Sequence, residues 1–281
     1  MRLIDVRHLG RERVIGCWEL DGVLIDPGPT SSMDNLIEAL GGEVPRALLL
    51  THIHLDHAGA AGSLVKRWPD LPVYVHERGA RHLAETSKLL ASAERLYGDQ
   101  MERLWGEVAA VPERNLQALS GGEEVFGFRV AYTPGHASHH VSYFHPPSRR
   151  AFVGDTAAVR ILPSDYVVPP TPPPDIDLDL WEESIDRILD WEPDSLGLTH
   201  FGEVDDPEAH FEIVRARLRE QAELARELTA ADFERRIRRQ VSKRADPETA
   251  AAMLQAVPPE QQWFGLDRYW KQRAERAAER G

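Results

Sequence analysis

Thr51-His52-Ile53-His54-Leu55-Asp56-His57-Ala58-Gly59 puts three histidines and an aspartate within six residues. The stretch follows the apolar run 47–50, which reads as a β-strand. Residues i and i+2 at a strand end share a side, so His52 and His54 are expected to grip one cation together. Asp56 and His57 lie further round the turn and can reach a second. Imidazole and carboxylate are the donors that suit zinc, manganese or iron(II). A lone histidine after a strand is usually an ordinary core or surface residue; a cluster this dense is ligand chemistry.

Four ligands on one loop do not close two sites, and the rest of the chain supplies candidates at strand ends. His136 lies in Thr133-Pro134-Gly135-His136 after a strand expected at 124–132. Asp155 lies in Val153-Gly154-Asp155-Thr156 after 150–154, and His200 in Leu198-Thr199-His200 after 195–199. A carboxylate such as Asp155 has two oxygens and can bridge two cations.

Outward from these motifs, short apolar runs alternate with helical patterns. Segments 14–20 and 22–26 read as strands joined by the hairpin signal Asp21-Gly22. Further strands are expected at 73–75 and 140–145, and helices at 33–40, 58–68 and 77–107. Six prolines between Pro163 and Pro174 make a stiff loop, after which Asp175 or Asp177 caps a helix carrying Leu178, Trp181, Ile185 and Leu189 on one face. Beyond residue 205 only helices are expected, with Asp206, Thr229 and Asp246 as N-caps. The expected architecture is α/β, layered, with a catalytic domain over 1–205 and a helical appendage over 206–281.

The order His-x-His-x-Asp-His, then His, Asp and His, resembles the metallo-β-lactamase fold superfamily, in particular its glyoxalase II-like dinuclear branch. The resemblance covers residues 1–205. It implies an αββα sandwich with two divalent ions, zinc being expected and manganese or iron tolerated. His52, His54 and His136 would hold the first ion, Asp56, His57 and His200 the second, and Asp155 would bridge them. The implied reaction is attack of a hydroxide shared by the two ions on a small ester, thioester or lactone, with Asp56 orienting the nucleophile. The alternatives are a mononuclear iron persulfide-type dioxygenase and a phosphodiesterase or nuclease of the same fold.

Several relatives are argued against. Asp155 stands where secreted lactamases keep a cysteine, and Ala158 where some lactonases keep a tyrosine. His54 stands where flavodiiron proteins have glutamate. A Gly-Cys-Gly-like segment usual after the bridging aspartate in glyoxalases II is replaced by 157–163, Ala-Ala-Val-Arg-Ile-Leu-Pro.

Charge and composition narrow the class further. The chain carries a formal net charge of −13, while the part from Glu208 onward holds 15 Lys/Arg against 13 Asp/Glu. The acidic surplus therefore sits in the body, which disfavours nucleic acid as a partner. No apolar run reaches membrane-span length, and the N-terminus lacks a secretory signal pattern. A cytoplasmic location and a small-molecule substrate are expected. The single cysteine, Cys17, reads as a buried hydrophobe.

Candidate pocket residues are Tyr97 and Trp105 in the helical insertion and Tyr166 in the proline-rich loop. His139 and His140 read as strand structure or support for the ligands, and His76 and His82 as ordinary polar residues. The run Arg235, Arg236, Arg238, Arg239 reads as a solvated helix face, or an anion-binding pocket edge. Apolar faces carrying Phe211, Val214 and Leu218, Phe233, Ile237 and Val241, and Trp263, Leu266 and Trp270 must pack on the body or form a homodimer through the appendage.

Overall fold

The computed structural model describes residues 1–280. One sheet is built from β1 (Arg2–Asp5), β2 (Gly16–Leu20), β3 (Val23–Ile25), β4 (Ala47–Leu49), β5 (Val73–His76) and β6 (Leu116–Leu119), in that order. β1, β2 and β3 run antiparallel, and β3 to β6 parallel. The second sheet contains β7 (Glu124–Val125), β8 (Phe128–Tyr132), β9 (Val141–His145), β10 (Arg150–Phe152), β11 (Ser195–Leu198) and β12 (Gly202–Val204). Its one parallel pair among the described residues is β10 with β11.

Helices cover the outer faces. α1 (Met33–Leu40), α2 (Leu55–Ala58), α3 (Ala61–Arg67), α4 (Glu77–Ala84), α5 (Ser87–Tyr97) and α6 (Met101–Trp105) belong to the first half, and α7 (Leu178–Leu189) crosses from β10 to β11. α8 (Pro207–Glu227), α9 (Ala230–Arg244), α10 (Pro247–Ala256) and α11 (Pro259–Arg280) follow. The result is the expected αββα sandwich with C-terminal helices. Alternation along each strand explains it. Ala47 and Leu49 pack between the sheets with Trp18, Phe128, Tyr143 and Phe152, while Leu48 faces the helix layer.

The Asp21-Gly22 turn has both φ angles positive, at 50° and 79°, as a two-residue hairpin requires. Elsewhere the structure departs from expectation. The helix expected over 77–107 is three helices, because Glu85 is extended and Gly98 takes φ 52°. The strand expected over 124–132 is the hairpin β7–β8, turned at Phe126-Gly127. β1, β6 and β12 are short edge or near-edge strands that sequence patterning missed.

The caps behave as predicted. Asp206, Thr229 and Asp246 each accept a hydrogen bond from a backbone N–H in the first turn of α8, α9 and α10, and Asp177, rather than Asp175, caps α7. The apolar faces expected to need a partner are taken up internally. Phe211, Val214, Leu218, Phe233, Ile237, Val241 and Leu266 join one core with β-sandwich residues such as Leu196 and Val153. Residue 205 thus marks a change from strand to helix, while apolar packing runs across it. α11 also clamps the proline-rich loop. Thr171 donates its N–H to the Gln262 side chain and its hydroxyl to the Gln262 carbonyl, 3.1 Å away. Gly265 abuts the Thr171 carbonyl so closely that a Cβ would sit 2.1 Å from it. Among the described residues no helix is long and apolar enough to cross a membrane.

Candidate metal centre

The ligand candidates emerge where both sheets end. Asp26 and His52 follow the C-termini of the parallel pair β3–β4, and Asp155 and His200 those of β10–β11. The sheets are stitched together at this edge. Val141 N–H donates to the Thr51 carbonyl at 2.8 Å, Gly16 N–H to the Thr199 carbonyl at 2.9 Å, and the Tyr143 hydroxyl to the Leu50 carbonyl at 2.8 Å. The loops that carry the histidines are therefore fixed at their roots.

His52, His54, His136 and Asp155 form one group, and Asp56, His57 and His200 a second. His54 Nδ1 lies 3.0 Å from His52 Nε2 and 2.9 Å from His136 Nε2. His57 Nε2 and His200 Nε2 are 3.3 Å apart. Asp155 stands between the groups, with Oδ2 3.3 Å from His136 Nε2 and Oδ1 3.2 Å from His57 Nε2. Asp56 Oδ2 is 3.4 Å from His200 Nε2. Every ligand predicted from the sequence is here, brought together from both halves of the chain.

The opposite ring nitrogens fix the tautomers. His136 Nδ1 faces the Pro170 carbonyl at 2.9 Å and His200 Nδ1 the Val14 carbonyl at 2.6 Å. A carbonyl only accepts, so each Nδ1 carries the proton and each Nε2 presents a lone pair. His57 Nδ1 donates to Asp26 at 2.8 Å. Thr51 Oγ1 donates to Asp26 at 2.7 Å and so accepts from His52 Nδ1 at 3.0 Å. Lone pairs thus converge at 2.9–3.3 Å. A tetrahedral zinc with bonds of about 2.05 Å spaces its nitrogens about 3.3 Å apart. Asp155 Oδ1, buried, has no hydrogen-bond partner. The donor set fits a pair of divalent cations.

Electrostatics agree. Burial holds His136 down at about 4 and lowers His52 and His54, so these rings are neutral at pH 7. His57 is driven down by burial, but Asp155, Asp56 and Asp26 prevail and raise it well above the usual histidine value. Burial pushes Asp155 up, yet His57 and His136 hold it well below the carboxylate range. Without cations, protons sit where positive charge is required.

Asp26, at the end of the strand segment 22–26, is not among the site residues expected from the sequence. Fully buried, it also accepts from Thr51 N–H at 2.8 Å and Thr199 Oγ1 at 3.1 Å. The available signal was a carboxylate ending the apolar run Val23-Leu24-Ile25. Gly154 is required beside Asp155: its φ is 43°, and a Cβ would lie 2.5 Å from Thr51 Oγ1. His139 lines the cavity described next and stacks over His52, while His140 packs closer on the same ring at 5.1 Å; both support the ligands.

Two cavities flank the cluster. The larger, of about 880 Å³, is bounded by His54, His136 and Asp155 and by α4 and α5. The smaller, of about 350 Å³, includes His200, Trp105 and Leu104. Asp56 and Tyr97 line both. Burial, then the nearby Asp56 charge, push the Tyr97 hydroxyl up, so it stays protonated. Trp105 packs edge-on to Tyr97 at 5.0 Å and stacks on His8 at 5.5 Å. Tyr166 is a correction. It lies outside both cavities, under the Arg217 guanidinium at 4.6 Å, with its hydroxyl on Gln240 at 3.2 Å. The basic run on α9 is likewise not pocket edge: Arg235 pairs with Asp232, and Arg238 with Glu234 and Glu260. The basic residues that do line the large cavity are Arg78, Arg81, Lys88 and Arg95, dispersed enough in sequence to escape a charge count.

Residues 19–200 match the description of the metallo-beta-lactamase superfamily. The chain is 30% identical over 195 residues to the metallo-beta-lactamase fold-containing protein ST1585 of Sulfurisphaera tokodaii, covering 66% of this chain and 70% of that one. The crystal structure of ST1585, from Sulfolobus tokodaii, is similar with TM-score 0.72 at 25% identity, covering 95% of this chain and 97% of that one. A hydroxyacylglutathione hydrolase of Pectobacterium atrosepticum is 32% identical over 134 residues, 48% of this chain. That match spans 41% of the relative, less than half its length. TTHA1623, solved in a di-iron-bound form, has TM-score 0.53 at 27% identity over 68% of this chain and 89% of that one.

Proposed function

The chain belongs to the metallo-beta-lactamase superfamily, and from that premise we propose that it is a dinuclear hydrolase of a small ester, thioester or lactone. The observation that carries this is the position of Asp155. One carboxylate turns an oxygen to each nitrogen cluster, 3.3 Å from His136 on one side and 3.2 Å from His57 on the other. Two donor groups flanking one carboxylate support a pair of ions rather than one.

Divalent ions held by the seven side chains would supply a hydroxide at neutral pH and polarise the substrate carbonyl. The protein's own part is positional and protonic. Asp26, Pro170 and Val14 lock the ligand rings in the tautomers that leave Nε2 free. Burial raises the Asp56 carboxyl, but His57 and His200 outweigh it and keep the group ionised. Its side chain is 21% exposed and lines both cavities. From there it accepts a hydrogen bond from the nucleophile and carries the proton toward the leaving group. Tyr97 and Trp105 wall the substrate on the α5–α6 side.

The test is metal content and turnover together. Protein loaded with zinc, manganese or iron should hold two ions per chain and hydrolyse a thioester, ester or lactone. Chelation should abolish turnover and added ion restore it. One iron per chain with oxygen uptake on a persulfide, or two ions and no hydrolysis across the panel, refutes the reading.

A further inference from the structure

Asp155 rides on a single turn of 3₁₀ helix, Gly154–Ala157, all four residues of which are buried. Hydrogen bonds inside such a turn are poorly aligned, so its aim depends on what holds its carbonyls from outside. Two of them are held by side chains. Trp181 on α7 donates its Nε1–H to the Thr156 carbonyl at 2.8 Å, and His210 on α8 donates its Nε2–H to the Ala157 carbonyl at 2.8 Å. The chain then turns at Ala158, with φ 61°, and reaches Arg160. Arg160 N–H donates to the His200 carbonyl at 2.8 Å, and the Arg160 carbonyl accepts from Phe201 N–H at 3.1 Å. The segment braced by His210 therefore carries Asp155 at one end and is laced to the His200 backbone at the other.

Histidine at position 210 needs a reason beyond packing. α8 lays Phe211, Val214 and Leu218 into the core, and His210 is buried with them. A carbonyl only accepts, so Nε2 carries the proton and Nδ1 is a bare acceptor. That Nδ1 is buried with no hydrogen-bond partner, a cost in stability that an apolar side chain would avoid. Burial holds the ring down at about 4, so it adds no charge at pH 7. What the imidazole contributes is one bond, and that bond goes to the turn of Asp155. Position 210 lies outside residues 19–200, the span matched to the superfamily, so the brace comes from the C-terminal helices rather than from the shared domain.

We propose that His210 is a positioning residue through which the C-terminal helices aim the bridging carboxylate at both ions. It acts through Ala157 and touches neither ion nor substrate. This rests on the dinuclear reading and gives a task to α8, from which none of the ligand candidates comes. Asp155 faces both donor groups, at 3.3 Å from His136 and 3.2 Å from His57. Slackening its turn therefore weakens the two ions together, where a defect within one donor group weakens one.

The test separates the bond from the packing with two variants, His210→Gln and His210→Asn. A glutamine amide nitrogen can occupy the place of imidazole Nε2, whereas an asparagine one reaches only the place of Nδ1. Full-length protein loaded with manganese is dialysed against graded chelator, and metal is counted per chain. In His210→Asn both ions should leave together, at about tenfold less chelator than in the wild type, as for the loss of a supporting partner. His210→Gln should follow the wild type. Electron paramagnetic resonance adds a readout that a loss of stability alone would not move. Magnetic coupling between the two manganese ions runs through the shared carboxylate, so it should change in His210→Asn and persist in His210→Gln. The native protein supplies a check that needs no folded asparagine variant. With ¹⁵N-labelled histidine, the His210 Nε2–H resonance, assigned by its loss from His210→Gln, should move when metal is added. Wild-type thresholds in His210→Asn, early release of one ion alone, unchanged coupling, or an Nε2–H resonance indifferent to metal overturns the proposal. So does His210→Gln behaving like His210→Asn, or a lowered melting temperature with the metal readouts unmoved. None of these assays reads turnover. Ions held and released as described, with no hydrolysis of any substrate, would refute the hydrolase reading and leave His210 its task.

Discussion

Replacing Asp26 by asparagine removes one charge and no volume, and its consequences can be worked atom by atom. Oδ1 accepts from Thr51 N–H, and Oδ2 accepts from Thr51 Oγ1, Thr199 Oγ1 and His57 Nδ1. An asparagine oxygen can keep the first bond. Its amide then presents donors where three donors already point. The two threonine hydroxyls can rotate and accept. His57 cannot: its Nδ1–H must lose its partner or move the proton to Nε2, the atom that faces Asp155 and His200. A protonated Nε2 is no ligand. Loss of such a supporting partner typically weakens metal binding about 10- to 100-fold, or about 1.4–2.8 kcal/mol. The loss should fall on the Asp56–His57–His200 group. His52 is one hydroxyl further removed, and His54 and His136 do not touch Asp26. Dialysis of Asp26→Asn against graded chelator, with metal counted per chain, should release one ion early and retain the other near its wild-type threshold. Wild-type retention of both ions, or simultaneous loss, refutes the tautomer argument.

Asp56→Asn should lower kcat about 10²-fold or more with KM little changed; full turnover with both ions bound removes Asp56 from the proton path. In chelated protein the elevated His57 contributes stability that is complete below the unfolded-chain value of about 6.5. That contribution is lost as pH rises through the folded value, so the metal-free melting temperature should fall as pH rises above about 6.5. Metal uptake displaces the same proton, so the second ion should bind more tightly over that window. Melts and metal titrations check both, and a metal-free curve that rises with pH contradicts the assignment. Tyr166→Phe should cost about 1 kcal/mol of stability by chemical denaturation and leave kcat/KM unchanged; a large kinetic effect would put Tyr166 back in the pocket.

The metal centre was legible in the sequence because its candidate ligands are chemically rare at strand ends and four of them fall within six residues. His136, Asp155 and His200 could be added because each follows an apolar run, and strand ends are where a sandwich gathers side chains. The same logic could not find Asp26. Its partners come from residues 51, 57 and 199, and a carboxylate before Pro-Gly reads as an ordinary turn. Tyr166 was misplaced because closeness in sequence to Asp155 was taken for closeness in space, whereas the proline-rich loop carries it toward α8 and α9. The helix expected over 77–107 kept its apolar spacing across two breaks, since Gly98 and Glu85 change direction without changing which faces are buried. The cationic wall was invisible for a related reason: one face of α4 and one of α5 meet only after the chain bends at residue 85.

The grip of α11 on the proline-rich loop reaches the chemistry through a single carbonyl. Gln262 holds Thr171, and Pro170 beside it orients the His136 ring. A chain cut after residue 205 would keep every ligand yet lose the strap that aims one of them. A change at Gln262 therefore has a route, through Thr171 and Pro170, to the orientation of His136, far upstream in sequence.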